Sequence, residues 1–229
     1  MQNDYSGLLV VNKPIGITSF KLVSIIKRKL QVKKTGHCGT LDPLASGLML
    51  VLVGKATKMQ DNFMKQDKVY LASVKLGIKT NSGDLDGDII SQSDYSHVDI
   101  DKIKKVCAGF IGETEQTPPM FSALKVGGKK LYELARKGIE IERKKRKINI
   151  YFIDVLNFSA GIIDMRIKCS SGTYIRTLAE DIGNQLNTDA VLSNLVREEI
   201  GVYSLGQSIN LSDIENNEKE FTLNSIIKI

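Results

Sequence analysis

The sequence offers little sulfur chemistry. Its three cysteines, Cys38, Cys107 and Cys169, are odd in number, far apart and without any Cys-x-x-Cys spacing. That pattern argues against a zinc site and a disulfide framework, and suits a reducing cytosol. Histidine is scarcer still, with two in 229 residues. His37 adjoins Cys38, but neighbouring residues rarely share a metal and no second pair follows, so a stacking or hydrogen-bonding role suits it better. Long apolar runs are also missing. The longest, Leu48 to Val53, falls far short of the ~20 residues that cross a bilayer. The N-terminal "MQNDYSGLLVVNKP" lacks the basic and apolar regions of a secretion signal. A cytoplasmic protein is the expectation.

Phosphate and calcium loops are absent too. In "VGKAT" (53–57) the glycine that a Walker loop needs five positions earlier is Met49, and Ala56 follows Lys55. A calcium loop begun at Asp84 would have Ile89 in place of its glycine and Tyr95 in place of its glutamate. A solvated Asp/Gly turn is the expectation for "TNSGDLDGD".

What the chain does have is ordinary core material, 42% hydrophobic and 25% charged residues, enough for one domain or one with a small appendage. Its net charge of +6 and pI near 9.1 suit either plain solubility or a polyanionic partner such as nucleic acid. "LLVVNKPIGITSF" reads as a strand over Leu8–Val11, a turn at Pro14 and Gly16, and a helix capped by Thr18 or Ser19. Leu48–Val53 reads as a strand buried on both faces. From Val69 to Leu76 the residues Tyr70, Ala72, Val74 and Leu76 share one face. Ile103, Val106, Cys107 and Phe110 mark a helix. "KKLYELARKG" is a short helix stopped by Gly138. Ile163 to Cys169 alternates as a strand. "SSGTYIRTLAEDIGNQL" has a clear helical stripe, and "TDAVLSNLVRE" reads as a further helix. Strands outnumber helices in irregular order, which predicts a mixed α+β sheet.

One stretch stands apart, "GHCGTLDPLASG" (36–47), directly before the buried run. Asp42-Pro43 has the form of a helix N-cap followed by Pro. Yet Gly36, Gly39 and Gly47 permit close backbone approach, and a glycine-rich loop fixed to a buried strand can hold a reactive acid steady. An acid beside an apolar pocket needs a nearby cation to stay ionised. Arg176, in the first turn of its helix beside Tyr174, is the candidate; a surface position off the apolar stripe is its other reading. The basic run "RKKRK" (143–147) is either strand-edge protection or a phosphate-contacting strip.

Taken together these blocks resemble the bacterial tRNA pseudouridine-55 synthases. "NKPIGITSF" (12–20), the stretch 36–58, "DKVYLASVKLGIKTNSGDLDG" (67–87), "PPMFSALKVGGKKLYELARKG" (118–138), "CSSGTYIRTLAEDIG" (169–183) and "LSNLVREEIGVYSL" (192–205) follow in the family's order. The resemblance implies an α+β fold with a mixed, largely antiparallel sheet flanked by helices and crossed by an RNA cleft. It implies conversion of uridine 55 in the T-arm of tRNA to pseudouridine, without cofactor or metal. By resemblance Asp42 is catalytic, Tyr70 stacks on the flipped uracil, Arg176 partners Asp42, and Tyr174 and Leu195 line the uridine pocket. Lys13 lies near the active site, and His37 fills the space that bases leave in the T-loop. The expected partner is the tRNA T-arm stem-loop and the expected form a monomer. Residues 1–211 would be the catalytic domain and 212–229 a short tail without the PUA domain of longer members, with a weaker grip on distal tRNA. Three departures from the family's pattern stand out. Cys38 replaces a threonine, Val196 and Arg197 stand where two arginines are usual, and Glu199 replaces a basic residue. Two other classes, a non-catalytic RNA-binding or folding factor and a nucleoside hydrolase with a second carboxylate, compete with this reading.

Overall fold

The computed structural model describes residues 5–122 and 124–229. The first four residues quoted above against a secretion signal, and Ala123 of "PPMFSALKVGGKK", lie outside the described residues. The chain forms two compact units: one runs up to Leu71 and resumes at Leu195–Ile229, and the other is Ala72–Asn194.

The first unit begins with β1 (Gly7–Lys13) and α1 (Ser19–Leu30). Thr18 caps α1 by accepting the Lys21 N–H at 3.1 Å. Leu22, Val23, Ile26 and Leu30 turn inward as their spacing predicts. β2 (Thr35–His37) and β3 (Ser46–Val53) flank the glycine-rich loop, and α2 (Gln60–Met64) and β4 (Lys68–Leu76) follow. All six residues from Leu48 to Val53 are fully buried. Each such side chain contributes about 1.5–3 kcal/mol of hydrophobic stabilisation, so β3 is the unit's anchor. Its even-numbered leucines pack with Leu8, Val10, Cys38, Ala56 and Ile200.

In the second unit β5 (Ile78–Thr80) and β6 (Ile89–Gln92) make a hairpin around "NSGDLDGD". Next come α3 (Ile100–Ala108), β7 (Gly112–Gln116), the short pair β8 (Lys125–Val126) and β9 (Lys129–Lys130), and α4 (Leu131–Ala135). The long strand β10 (Arg146–Ser159) pairs antiparallel with both β7 and β11 (Ile162–Cys169), and β4 lies beyond β11. α5 (Ile175–Gln185) supplies the predicted apolar stripe. β12 (Ala190–Ile200) leads the chain back to the first unit. There β13 (Tyr203–Ser204), β14 (Ile209–Asn210), α6 (Leu211–Asn216) and α7 (Lys219–Asn224) complete it. β1 pairs antiparallel with β3 and parallel with β14, and β3 pairs parallel with β12. The strands form the mixed, mostly antiparallel α+β arrangement that the resemblance implied. Residues 212–229 build helices α6 and α7 and bring Ile227 into a bridge with Leu8.

Several expectations are corrected. "TDAVLSNLVRE" is strand, not helix. Leu192, Leu195 and Val196 have helical spacing, but Ala190, Val191 and Leu192 are buried in succession and Arg197 pairs with Gly47 of β3. Tertiary pairing overrides the local pattern. No helix follows Asp42, so the helix-cap reading fails. The Ala45 N–H donates to the Asp42 carbonyl at 3.1 Å, which makes 42–45 a tight turn with Pro43 at its second position. Of "RKKRK", only Arg146 and Lys147 enter β10, and there they pair with β7. Lys147 stands opposite Glu115, and Arg143 pairs with Glu140 at 2.9 Å.

Gly47 is the tightest point of β3. Its φ is +104°, and a Cβ there would lie 2.4 Å from the Arg197 carbonyl oxygen. Both strain and clash oppose any side chain. Gly47→Ala is expected to cost about 3 kcal/mol or more in denaturant unfolding; a cost below about 1 kcal/mol would show that β12 gives way freely.

Candidate active site

Asp42 sits half-buried at the head of a turn that is tied down on every side. Buried Ser19, the first residue of α1, accepts the Leu41 N–H at 2.8 Å and donates its hydroxyl to the Leu41 carbonyl at 2.9 Å. The Gly16 N–H donates to the Pro43 carbonyl at 2.8 Å. These bonds bracket Asp42 with the turn of "NKPIGITSF", so the first sequence block serves the second.

Arg197 holds the rest of the loop. Only 1% exposed, it donates from Nε to the Leu48 carbonyl at 2.8 Å, from Nη2 to Gly39 at 3.2 Å and from Nη1 to Thr40 at 3.4 Å. The rigid fork of a guanidinium suits three carbonyls around one bend. Gly47 faces Arg197 on β12 and Lys13 on β1. Two buried cations therefore flank the one glycine where no side chain intrudes.

Lys13 is completely buried and donates to the carbonyls of Pro14 at 2.9 Å and Ile17 at 2.8 Å. Burial is the main force on its ammonium and lowers its pKa to about 8; the Asp42 carboxylate opposes this, and Arg197 adds to it. Asp42 is thus an acid set among cations, the arrangement that favours its charged form. His37 is half-buried, and burial followed by Arg197 keeps its pKa low, so its imidazole is neutral near pH 7. Its backbone is fixed by pairing with Val51 and by the Gln60 amide, which donates to the His37 carbonyl at 2.9 Å. Its Nδ1 is buried and makes no hydrogen bond among the described residues. Tyr70 on β4 and Leu195 on β12 are both 8% exposed. Leu195 and Arg197 point to the same side of β12, two residues apart. The first unit therefore carries Lys13, His37, Asp42, Tyr70 and Leu195.

The second unit carries Tyr174 and Arg176 at the start of α5. Arg176 is 6% exposed, which removes the surface reading. It donates to the carbonyls of Ser82 at 2.8 Å and Phe121 at 2.7 Å, and its Nη1 lies 3.6 Å from the Asp84 carboxylate. Asp84 also accepts the Ser82 hydroxyl at 2.6 Å and the Asp86 N–H at 3.3 Å. The expected solvated turn is instead a buried ionic network, with Thr80, Ser82 and Asp84 all inside. An aspartate is buried this deeply only with such partners. Gln116 grips the Tyr174 backbone from both sides: its amide donates to the carbonyl at 3.0 Å and its oxygen accepts the N–H at 2.8 Å.

Sequence reasoning missed Ser19, Asp84, Gln116 and Arg197. Ser19 was read only as a possible cap. Arg197 is the arginine retained from the family's pair, and its placement on an expected helix hides its inward direction. Asp84 and Gln116 carried no local signal, because their partners lie 92 and 58 positions away.

Comparison with known proteins places the chain in a family. Residues 27–175 fit the family described as TruB family pseudouridylate synthase, N-terminal domain. A tRNA pseudouridine synthase B of Endomicrobium trichonymphae is 54% identical over 217 residues, 95% of this chain and 94% of that one. Among solved structures, a chain of a Cbf5–Nop10–Gar1 complex aligns with TM-score 0.75 and 31% identity, covering 97% of this chain and 60% of the other. A chain of an H/ACA ribonucleoprotein bound to a substrate RNA containing 2′-deoxyuridine aligns with TM-score 0.68 and 28% identity, covering 91% and 52%. The fold is that of the pseudouridylate synthase class. Within that class, the chain belongs to the TruB family.

Two outcomes follow. Lys13 loses its charge as pH rises through about 8, and with it the charge that strengthens its bonds to the carbonyls of Pro14 and Ile17 beside the Asp42 turn. The rate of pseudouridine formation should therefore fall above about pH 8, and Lys13→Arg, which stays charged, should remove that limb from the kcat–pH profile. An unchanged profile would dismiss Lys13 as the titrating group. Arg197→Lys keeps the charge but cannot serve three carbonyls, so it should destabilise the protein by about 2–3 kcal/mol in denaturant unfolding; full stability would mean the loop needs no clamp.

Proposed function

We propose that this protein converts uridine 55, in the T-arm of tRNA, to pseudouridine, with Asp42 as the catalytic residue. The observation that carries the reading is the pinned turn. A family known for this isomerisation has here one carboxylate on a turn whose backbone is held by Ser19, Gly16 and Arg197, just before a buried strand. Relatives that share most of this chain's length bear the name tRNA pseudouridine synthase B.

The reaction breaks the bond between ribose C1′ and uracil N1 and forms one from C1′ to C5. A proton leaves C5 and N1 gains one, so nothing is added and no oxidation state changes. A glycosidase divides its task between two carboxylates. Here the leaving base is also the returning nucleophile, so one carboxylate suffices, whether it adds to the substrate or removes a ribose proton. The target base must first leave its stack, at a cost of a few kcal/mol. Stacking on Tyr70 would offset about 1–3 kcal/mol of that. Leu195 and Tyr174 supply apolar contact to the uridine, Arg176 supplies charge, and neutral His37 occupies space in the opened loop. Phosphate contacts and loop shape provide recognition.

We take the working form to be a cytoplasmic monomer. Among the described residues no helix is long and apolar enough to cross a membrane.

The test is incubation of a T-arm stem-loop RNA with wild type and Asp42→Asn, with pseudouridine mapped by position. Wild type should modify the one T-loop uridine, and Asp42→Asn should bind the RNA but leave it unmodified. Modification elsewhere, or equal activity in the variant, would overturn the assignment.

A further inference from the structure

The charge of this protein is unevenly placed. Six of its 32 lysines and arginines fall within residues 19–34, a stretch with no Asp or Glu; the other 26 equal the 26 acids of the whole chain. The entire net charge of +6 therefore arises in one short segment, α1 and the turn after it. A face that is merely solvated carries both signs.

The structure leaves five of these cations exposed. Lys21, Lys27 and Arg28 fall on the exposed stripe of α1, and Lys33 and Lys34 continue it toward β2. Lys29 alone turns to the acid-leaning tail, where it donates to the carbonyls of Glu215 and Asn217. The other five are exposed, and none pairs with a carboxylate among the described residues. The run at 143–147 differs, since Arg143 pairs with Glu140 and Lys147 faces Glu115.

The strip is also tied to the site at both ends. At its start, Ser19 bonds to Leu41, the neighbour of Asp42. At its end, the Lys34 carbonyl accepts the Gly54 N–H, and β2, which carries His37, pairs with β3. α1 alone is about 18 Å long at ~1.5 Å per residue. A nucleic-acid strand carries a phosphate every ~3 Å of its axis, so the strip can follow several phosphates in succession.

Resting on the activity proposed above, we propose that Lys21, Lys27, Arg28, Lys33 and Lys34 form the phosphate track for the RNA stem adjoining the target loop. The track contacts backbone and reads no sequence. It supplies affinity and leaves the chemical step to the Asp42 loop.

The experiment uses the full chain, a T-arm stem-loop RNA and the variant Lys27→Gln/Arg28→Gln/Lys33→Gln/Lys34→Gln. Binding is measured across a salt series and turnover at saturating RNA. Loss of about four phosphate contacts should flatten the slope of log K against log salt by about 3, and raise KM about tenfold or more at low salt, because each contact adds about 0.7–0.9 to the slope. The kcat should stay within about twofold, since the chemistry is untouched. Lys27→Arg/Lys33→Arg/Lys34→Arg should keep the wild-type slope, which separates charge from folding. An unchanged slope in the glutamine variant, or a fall in kcat with KM unmoved, would overturn the track. Failure of wild type to modify the RNA would instead overturn the proposed function, because binding and its salt slope are read without turnover.

Discussion

Everything near Asp42 depends on one buried charge. Burying a guanidinium costs several kcal/mol unless its hydrogen bonds are met, and Arg197 meets them with the carbonyls of Gly39, Thr40 and Leu48. The bond to Leu48 fixes the loop to the strand; the other two fix its entry. Gly47 must then lack a side chain, since the Arg197 backbone lies where a Cβ would stand. Lys13, paired with Gly47 from the other edge of β3, is left buried beside a second cation. Asp42 becomes the acid that balances this corner. The loop is rigid because a misplaced loop would strand a buried charge.

The second unit repeats the logic with Arg176. There the guanidinium meets the carbonyls of Ser82 and Phe121 and the Asp84 carboxylate, so α5 and two loops are held together at one point. The two sites differ in what offsets the charge. Around Arg197 the described hydrogen bonds all go to backbone carbonyls; around Arg176 an acid joins them. Dipoles fix shape without adding counter-charge, whereas an ion pair supplies it.

Much of this was legible in the sequence, for identifiable reasons. Strands β1, β3 and β11 and helices α1 and α5 carry strong apolar patterns, and these decide their burial. Asp42, Tyr70, Tyr174 and Leu195 stand out as candidates only because several blocks resemble one family in the same order. What failed was local reasoning about polar residues. The apolar spacing of β12 fits a helix as well as a strand, and only its pairing with β3 decides. Asp84 reads as a turn acid until Arg176 is brought to it from 92 positions away. Long-range satisfaction of buried polar groups leaves no periodic trace.

The departures from the family's pattern now separate by environment. Cys38 is wholly buried beside Leu48 and Leu50, and burial raises its thiol pKa to about 11, so it serves as a small apolar side chain and stays protonated. Val196 neighbours Arg197 along β12, and successive strand residues face opposite ways. Arg197 is turned toward the loop, and Val196 faces the other way. Glu199 lowers the basic character of the same strand. Loss of positive charge there leaves the loop's geometry intact, because that geometry rests on Arg197. What it changes is where an RNA backbone would find attraction, and α1 with the turn after it, six cations and no acid in residues 19–34, is where this chain concentrates positive charge.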